Sequence, residues 1–290
     1  MSTVEESDSL PDKLARLGAV PPAQAQAAAQ KGRQTALADQ ERARKILRLL
    51  GKTYPYAVAE LDFASPYQLL VATVLSAQTT DVRVNSVTPT LFAAYPEPQD
   101  LAQAQPQELE KIIKPLGFYR TKTRNIIQLA QELLIRHDGL VPSSLAELTA
   151  LSGVGRKTAF VVLGNAFDQP GITVDTHVKR LALRLQWTTS KDPVKIERDL
   201  EQLFLPKDWT LLSHRLIYHG RRICHARKPA CGACPIADLC PSYGSGETEP
   251  DKAEKLLKYE LAPGREDLHK RLLQGASRAQ LRQEGWNLGA

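Results

Sequence analysis

The chain has 290 residues, 42% of them apolar and 24% charged, with a formal net charge of +6. That length and apolar content suit one large domain or two ordinary ones with a full core. No apolar run approaches the length of a bilayer span, and the modest positive excess favours a polyanionic partner without requiring one.

In chain order, residues 1–38 read as a disordered N-terminal arm. Four acids and no base stand in the first twelve positions, and "PPAQAQAAAQ" is an Ala/Gln low-complexity stretch. The acidic start has no apolar core behind a basic patch, so it does not read as a secretory signal, and a cytoplasmic protein is expected. From Asp39 onward the pattern is helical. Ser65-Pro66 opens "SPYQLLVATVLSAQTTD", with proline at the first helical position. Pro106 opens "QPQELEKIIKPLGF" and Gly117 closes it. Ser144 and Glu147 form a capping box ahead of "LAELTAL", and Asp192-Pro193 opens "DPVKIERDLEQLFL". Strand-like alternation is essentially confined to "GITV" at 171–174. About ten short helices joined by tight turns therefore predict an all-α protein. After Cys240, "PSYGSGETEP" reads as a turn-rich linker, and two charged helical stretches follow as an appendage.

All four cysteines lie between 224 and 240, spaced Cys224-x6-Cys231-x2-Cys234-x5-Cys240. A disulfide framework suits small secreted chains, so the crowding of every cysteine into one stretch indicates a metal site. Zinc sites usually pair two short hooks, whereas here only one is short. The longer loops favour an iron–sulfur cluster modestly over zinc. Residues 214–231 also carry five Lys/Arg, three histidines and no acid. One reading is a solvated basic face that offsets the thiolates. In the other, the loop "HARKPA", closed at both ends by ligands, holds Arg227 and Lys228 in place to bind phosphates.

"LSGVGRKTAF" at 151–160 is not a Walker phosphate loop, because Arg156 separates Gly155 from Lys157 and a helix precedes it. It reads as a helix, a Gly-Val-Gly hairpin and a second helix, a form that binds phosphodiester backbone without reading bases. The glycines would allow positive φ and let a phosphate reach bare N–H groups at the positive end of the next helix. Lys157 then stands in that helix's first turn, where a cation is mismatched. Eighteen residues on, "VDTHVKR" places Asp175 ahead of another helix, a position that by itself asks for no more than an N-cap.

Five motifs in unbroken order, "LSAQTTD", "GFYRTKTRNI", "LSGVGRKTAFVVLGNAF", "VDTHVKR" and the cysteine run, resemble the endonuclease III family over about residues 40–241. These are base-excision DNA glycosylases that also cleave at abasic sites. The resemblance implies a helix–hairpin–helix glycosylase fold. It divides the chain into a six-helix barrel over 59–170, a cluster-containing helical domain from 39–58 and 171–241, a DNA groove between them, and a C-terminal extension at 242–290. It implies a [4Fe–4S] cluster on Cys224, Cys231, Cys234 and Cys240. The partner it implies is double-stranded DNA with damaged pyrimidines or abasic sites, bound by a monomer with no membrane contact.

The same resemblance makes Lys157 the nucleophile and Asp175 the essential carboxylate. An amine attacks only when neutral, and both burial and a helix N-terminus disfavour its charged form. Asp175 would stabilise oxocarbenium character at the sugar and accept a proton from Lys157. The target nucleotide must be flipped out of the duplex. Gln78 would fill the gap and Phe118 would wedge beside it. DNA contacts would extend to Gly153, Gly155, Arg156 and His177. Two residues depart from the family habit: Phe118 stands where leucine is usual. Ser152 stands where proline is usual, which would loosen the start of the hairpin. The alternatives are a monofunctional mismatch glycosylase of the same superfamily, which usually lacks the lysine, and a non-enzymatic DNA-binding cluster protein.

Overall fold

The computed structural model describes residues 40–55 and 57–258, with a few positions further on (271, 274, 276, 280, 281 and 284). The arm expected at 1–38 and most of the final charged stretch lie outside the described residues. Thirteen α-helices occur among the described residues, against about ten expected. Several have only five residues, too few turns for a 3.6-residue period to register in a pattern. No paired strand forms among them; 171–174 takes no regular secondary structure, and the one β-bridge joins Ala230 to Glu247.

The chain separates into two compact units, with breaks at 57/58 and 173/174. One of them, Val58–Thr173, contains α2 (Pro66–Leu75), α3 (Asp81–Asn85), α4 (Thr88–Ala94), α5 (Pro98–Ala102), α6 (Pro106–Ile113), α7 (Tyr119–His137), α8 (Leu145–Thr149) and α9 (Arg156–Ala166). Its centre is α2, whose residues Tyr67 and Leu69 through Leu75 are all buried. A helix that is apolar all round can exist only when other helices surround it. Here α7 and α9 pack on it, and Leu129, Leu133, Val162 and Leu163 complete the core. Local chemistry sets where α2 begins: Ser65 Oγ accepts from the Gln68 N–H, and Pro66 occupies the first turn, where a missing N–H costs nothing.

The other unit joins α1 (Gln40–Thr53) to α10 (Thr176–Arg184), α11 (Pro193–Leu203), α12 (Trp209–Arg222) and α13 (Pro250–Glu254). Buried Arg42 on α1 donates to the carbonyls of Leu185 at 2.9 Å and Leu239 at 3.3 Å. The first of these satisfies an orphan carbonyl at the end of α10. Trp187 packs edge-on against Phe204 with ring centroids 5.0 Å apart.

Residues 242–258, expected to begin an appendage, belong to this unit. Tyr243 and Ala253 are buried, Ser242 Oγ donates to the Arg184 carbonyl at 2.7 Å, and the Lys258 N–H donates to the Arg222 carbonyl at 2.9 Å. The turns expected from the composition are present at 241–244, and long-range bonds, which leave no periodic pattern, tie the segment to this unit. Among the described residues no helix is long and apolar enough to cross a membrane.

Candidate functional site

The hairpin joins α8 to α9 and uses its two glycines differently. Gly153 has φ +76, and a Cβ there would lie 3.1 Å from Val74 Cγ1 and 3.2 Å from Asn125 Cβ, so both conformation and space select glycine. Gly155 has φ −91 and caps α9 in extended backbone, with open space around it. The positive φ expected at both glycines therefore holds only at Gly153. At Gly155 neither conformation nor space selects glycine. The expected loosening at Ser152 is also corrected. The Glu132 carboxylate on α7 accepts from both the Ser152 N–H at 2.7 Å and its hydroxyl at 2.8 Å, and proline would have no N–H to give.

Lys157 is the second residue of α9 and is exposed, so the burial expected to neutralise it is not supplied by the chain alone. Its backbone lies in the first turn of that helix. Arg156 lies with its guanidinium 4.9 Å from the centre of the Phe160 ring. A Cβ at Gly171 would collide with that ring, which is why a glycine stands there.

Asp175 caps α10. Its Oδ1 accepts from the N–H groups of His177 and Val178, both at 2.8 Å, and among the described residues Oδ2 takes no hydrogen bond. One oxygen thus fixes the side chain while the other stays open. The His177 ring is half-buried and its Nδ1 lies 3.0 Å from Arg180 Nη2, which also donates to the Gly220 carbonyl at 3.0 Å. Burial lowers the His177 pKa below its ordinary value, and Arg180 and Arg221 push the same way against Asp175. The His177 backbone N–H braces the Asp175 side chain, while its ring is turned to Arg180. A Cβ at Gly220 would crowd both side chains, at 2.7 Å from His177 Nδ1.

Gln78 and Phe118 both adopt left-handed backbone, with φ of 56 and 48, and both are exposed, Phe118 to 69%. Non-glycine residues rarely hold that conformation without a reason.

The four cysteines line one cavity of about 430 Å3, including its solvent-open mouth, with Leu181, Ile223, Ile236 and Tyr243 among its walls. Among the described residues no three His, Cys, Asp or Glu side chains converge closely enough to hold a single metal ion. Four thiols lining one largely apolar cavity fit the four corners of a polynuclear body. Burial pushes the Cys240 thiol up to about 12 and that of Cys234 well above the usual range. Such thiols become ligands only when a cationic core repays the burial of their charge.

Residues 71–206 match the HhH-GPD superfamily of base excision DNA repair proteins, and residues 224–240 match the iron–sulfur binding domain of endonuclease III. Endonuclease III of Synechocystis sp. is 52% identical over 203 residues, which cover 70% of this chain and 93% of that relative. The chain belongs to the endonuclease III family. Two solved structures, a non-covalent endonuclease III–DNA complex and a trapped endonuclease III–DNA covalent intermediate, are each 40% identical with a TM-score of 0.68. Each match covers 71% of this chain and 97% of the solved one.

An endonuclease III carries a [4Fe–4S] cluster as its cofactor, and the cavity here has further support for one. Arg184 Nη1 lies 3.1 Å from Cys224 Sγ, and His219 Nε2 lies 3.5 Å from Cys234 Sγ. Burial lowers the His219 pKa to about 3, so its ring is neutral, and Tyr54 Oη lies 3.1 Å from Nδ1. Polar contacts to ligand sulfurs orient the ligands and tune the metal.

The basic loop is held by more than its cysteines. Arg184 donates to the carbonyls of His225 at 2.7 Å and Ala226 at 3.1 Å. From the other side, the Glu247 N–H donates to the Pro229 carbonyl and the Gly232 N–H to the Glu247 carbonyl, both at 2.9 Å. Arg227 and Lys228 are left exposed at the tip, Lys228 with φ 48. The cations beside Cys224 are Arg180 and Arg184 of α10. Sequence reasoning missed Glu132, Arg180, Arg184 and His219 as supports: Arg180 stands in "VDTHVKR" and His219 in the basic stretch, but no local pattern gives any of the four its partner.

Proposed function

We propose that this endonuclease III excises oxidised pyrimidines from duplex DNA with Lys157 as nucleophile and Asp175 as its carboxylate partner, and then nicks the strand at the abasic site. The observation that carries this reading is the exposed amine of Lys157 on the first turn of α9, directly behind the Gly153 turn. The neutral amine attacks C1′ as the bond to the damaged base breaks, and the base leaves with the electron pair. Asp175, fixed through Oδ1, offers Oδ2 to stabilise positive charge at the sugar and to accept the amine proton. The resulting imine acidifies the C2′ position, and loss of that proton expels the 3′ phosphate. Bound DNA, by excluding water, supplies the desolvation of Lys157 that the free chain lacks.

The nucleotide is flipped out to be reached, Gln78 occupies the space it leaves and Phe118 wedges beside it. Gly153, Gly155, Arg156, Arg227 and Lys228 hold the phosphates. His177 contributes through its brace on Asp175. The four cysteines hold the cluster, which gives the Arg227–Lys228 loop its rigid base. The protein works as a monomer on cytoplasmic DNA.

A borohydride trap with abasic DNA tests the nucleophile. The natural protein should crosslink covalently, whereas Lys157→Gln should bind the same DNA without crosslinking. Normal strand cleavage by Lys157→Gln would remove the lysine from this role. Asp175→Asn keeps the N-cap and should slow base release by several orders of magnitude without unfolding the protein.

A further inference from the structure

We infer that Lys122 is a positioning residue that sets the register of the Gln78 and Phe118 loops against each other. Lys122 lies on the first turn of α7 and is only 4% exposed. Its Nζ donates to Thr79 Oγ1 at 2.7 Å and to the Leu116 carbonyl at 3.1 Å. The Thr79 hydroxyl itself donates to that same carbonyl at 2.7 Å. One ammonium, one hydroxyl and one carbonyl thus form a closed triangle. Thr79 is next to Gln78, and Leu116 is two residues before Phe118.

A buried ammonium normally has a carboxylate partner, because desolvating an unpaired charge is costly. Among the described residues Lys122 has none, and burial lowers its pKa from the ordinary lysine value. An apolar side chain of the same length would fill the space more cheaply. The triangle has a use that such a side chain lacks. Gln78 and Phe118 are exposed, lie on different loops and hold left-handed backbone. Strained backbone of that kind persists only where the surroundings over-determine it. The Lys122 triangle, together with the Lys122 N–H donating to the Phe118 carbonyl at 3.1 Å, is that determination. The two residues are therefore presented to the duplex at a fixed spacing before DNA arrives.

This inference rests on the reading that Gln78 and Phe118 enter the duplex, and the experiment separates the two. Lys122→Met keeps length and apolar bulk. It should raise amide hydrogen exchange across 77–80 and 116–119. It should also reduce excision of a duplex lesion on the order of 100-fold, the scale expected of a misplacement near 1 Å. The same lesion in single-stranded DNA should lose little, and Lys122→Arg should recover part of the duplex activity. Combined with Phe118→Ala and Gln78→Ala, the Lys122→Met loss should no longer add, because it acts through those two side chains. Should Lys122→Met not fold, Thr79→Val opens the triangle from the other side with the same readouts. Unchanged exchange in the two loops would overturn the clasp itself. Raised exchange with equal loss on duplex and single strands would overturn its function. If Phe118→Ala and Gln78→Ala show no duplex-specific loss, the intrusion reading falls first and the positioning role falls with it.

Discussion

Arg184 and Cys224 meet at 3.1 Å, guanidinium to sulfur, and the same guanidinium holds the carbonyls of His225 and Ala226. A single side chain of α10 therefore braces the first cysteine and the start of the basic loop. Hydrogen bonds from a charged donor are worth roughly 1.5–3 kcal/mol each in net terms. Arg184→Met should lower the iron and labile sulfide content of the purified protein and weaken binding to undamaged duplex. Arg184→Lys should fall between the two, because a point charge cannot span three acceptors. Full cluster content and unchanged affinity in Arg184→Met would show that the cysteines suffice.

Arg227 and Lys228 stand exposed on that braced loop. If each neutralises a phosphate, alanine at either should reduce the slope of log affinity against log salt by about one. Titrations of undamaged duplex at several salt concentrations measure this. An unchanged slope would return both residues to a solvated face.

The Ser152–Glu132 clasp predicts a coupled pair. Glu132→Ala leaves the Ser152 N–H and hydroxyl without their acceptor and should cost roughly 1–3 kcal/mol of unfolding free energy. Ser152→Ala keeps the N–H bond and should cost less. In a double-mutant cycle the second substitution should add little to the first, and simple additivity would mean the clasp carries no energy.

Residues 242–258 lie along the cysteine loop, with Tyr243, Ser242 and Ser245 among the walls of the cavity. Ending the chain after Pro241 should speed the decay of visible iron–sulfur absorbance under a chelator. The borohydride crosslink through Lys157 should persist while the cluster lasts. A decay rate equal to that of the full chain would make this segment irrelevant to the cluster.

Lys122 also gives a pH signature. Its pKa is lowered from 10.5 by burial, so just below that pH the unfolded chain binds more protons than the folded one. Stability contributed at this site should therefore rise with pH as 10.5 is approached. Denaturant unfolding of the natural protein and of Lys122→Met should show the natural protein gaining relative to the variant over that range. A constant difference would mean that the ammonium is not buried in solution.

The features legible in the sequence are those whose physics is local. Ser65, Asp175 and Asp192 each cap a helix, and Pro66, Pro106 and Pro193 open theirs, because these effects act within one turn. The cysteine spacing pointed to a polynuclear site because loop length limits what four thiols can surround. Lys157 at a helix N-terminus was visible for the same reason: position in a turn is read from neighbouring letters. The Glu132–Ser152 clasp, the Lys122–Thr79–Leu116 triangle and the Arg184 brace join residues 20, 43 and 40 positions apart. No periodicity marks such bonds. The tertiary structure decided them, as it decided that of the two hairpin glycines only Gly153 has positive φ, that Lys157 is exposed, and that 242–258 belongs with the cysteines. Each of these depends on which groups chain folding brings within about 3 Å, the reach of a hydrogen bond, and local sequence carries no record of that distance.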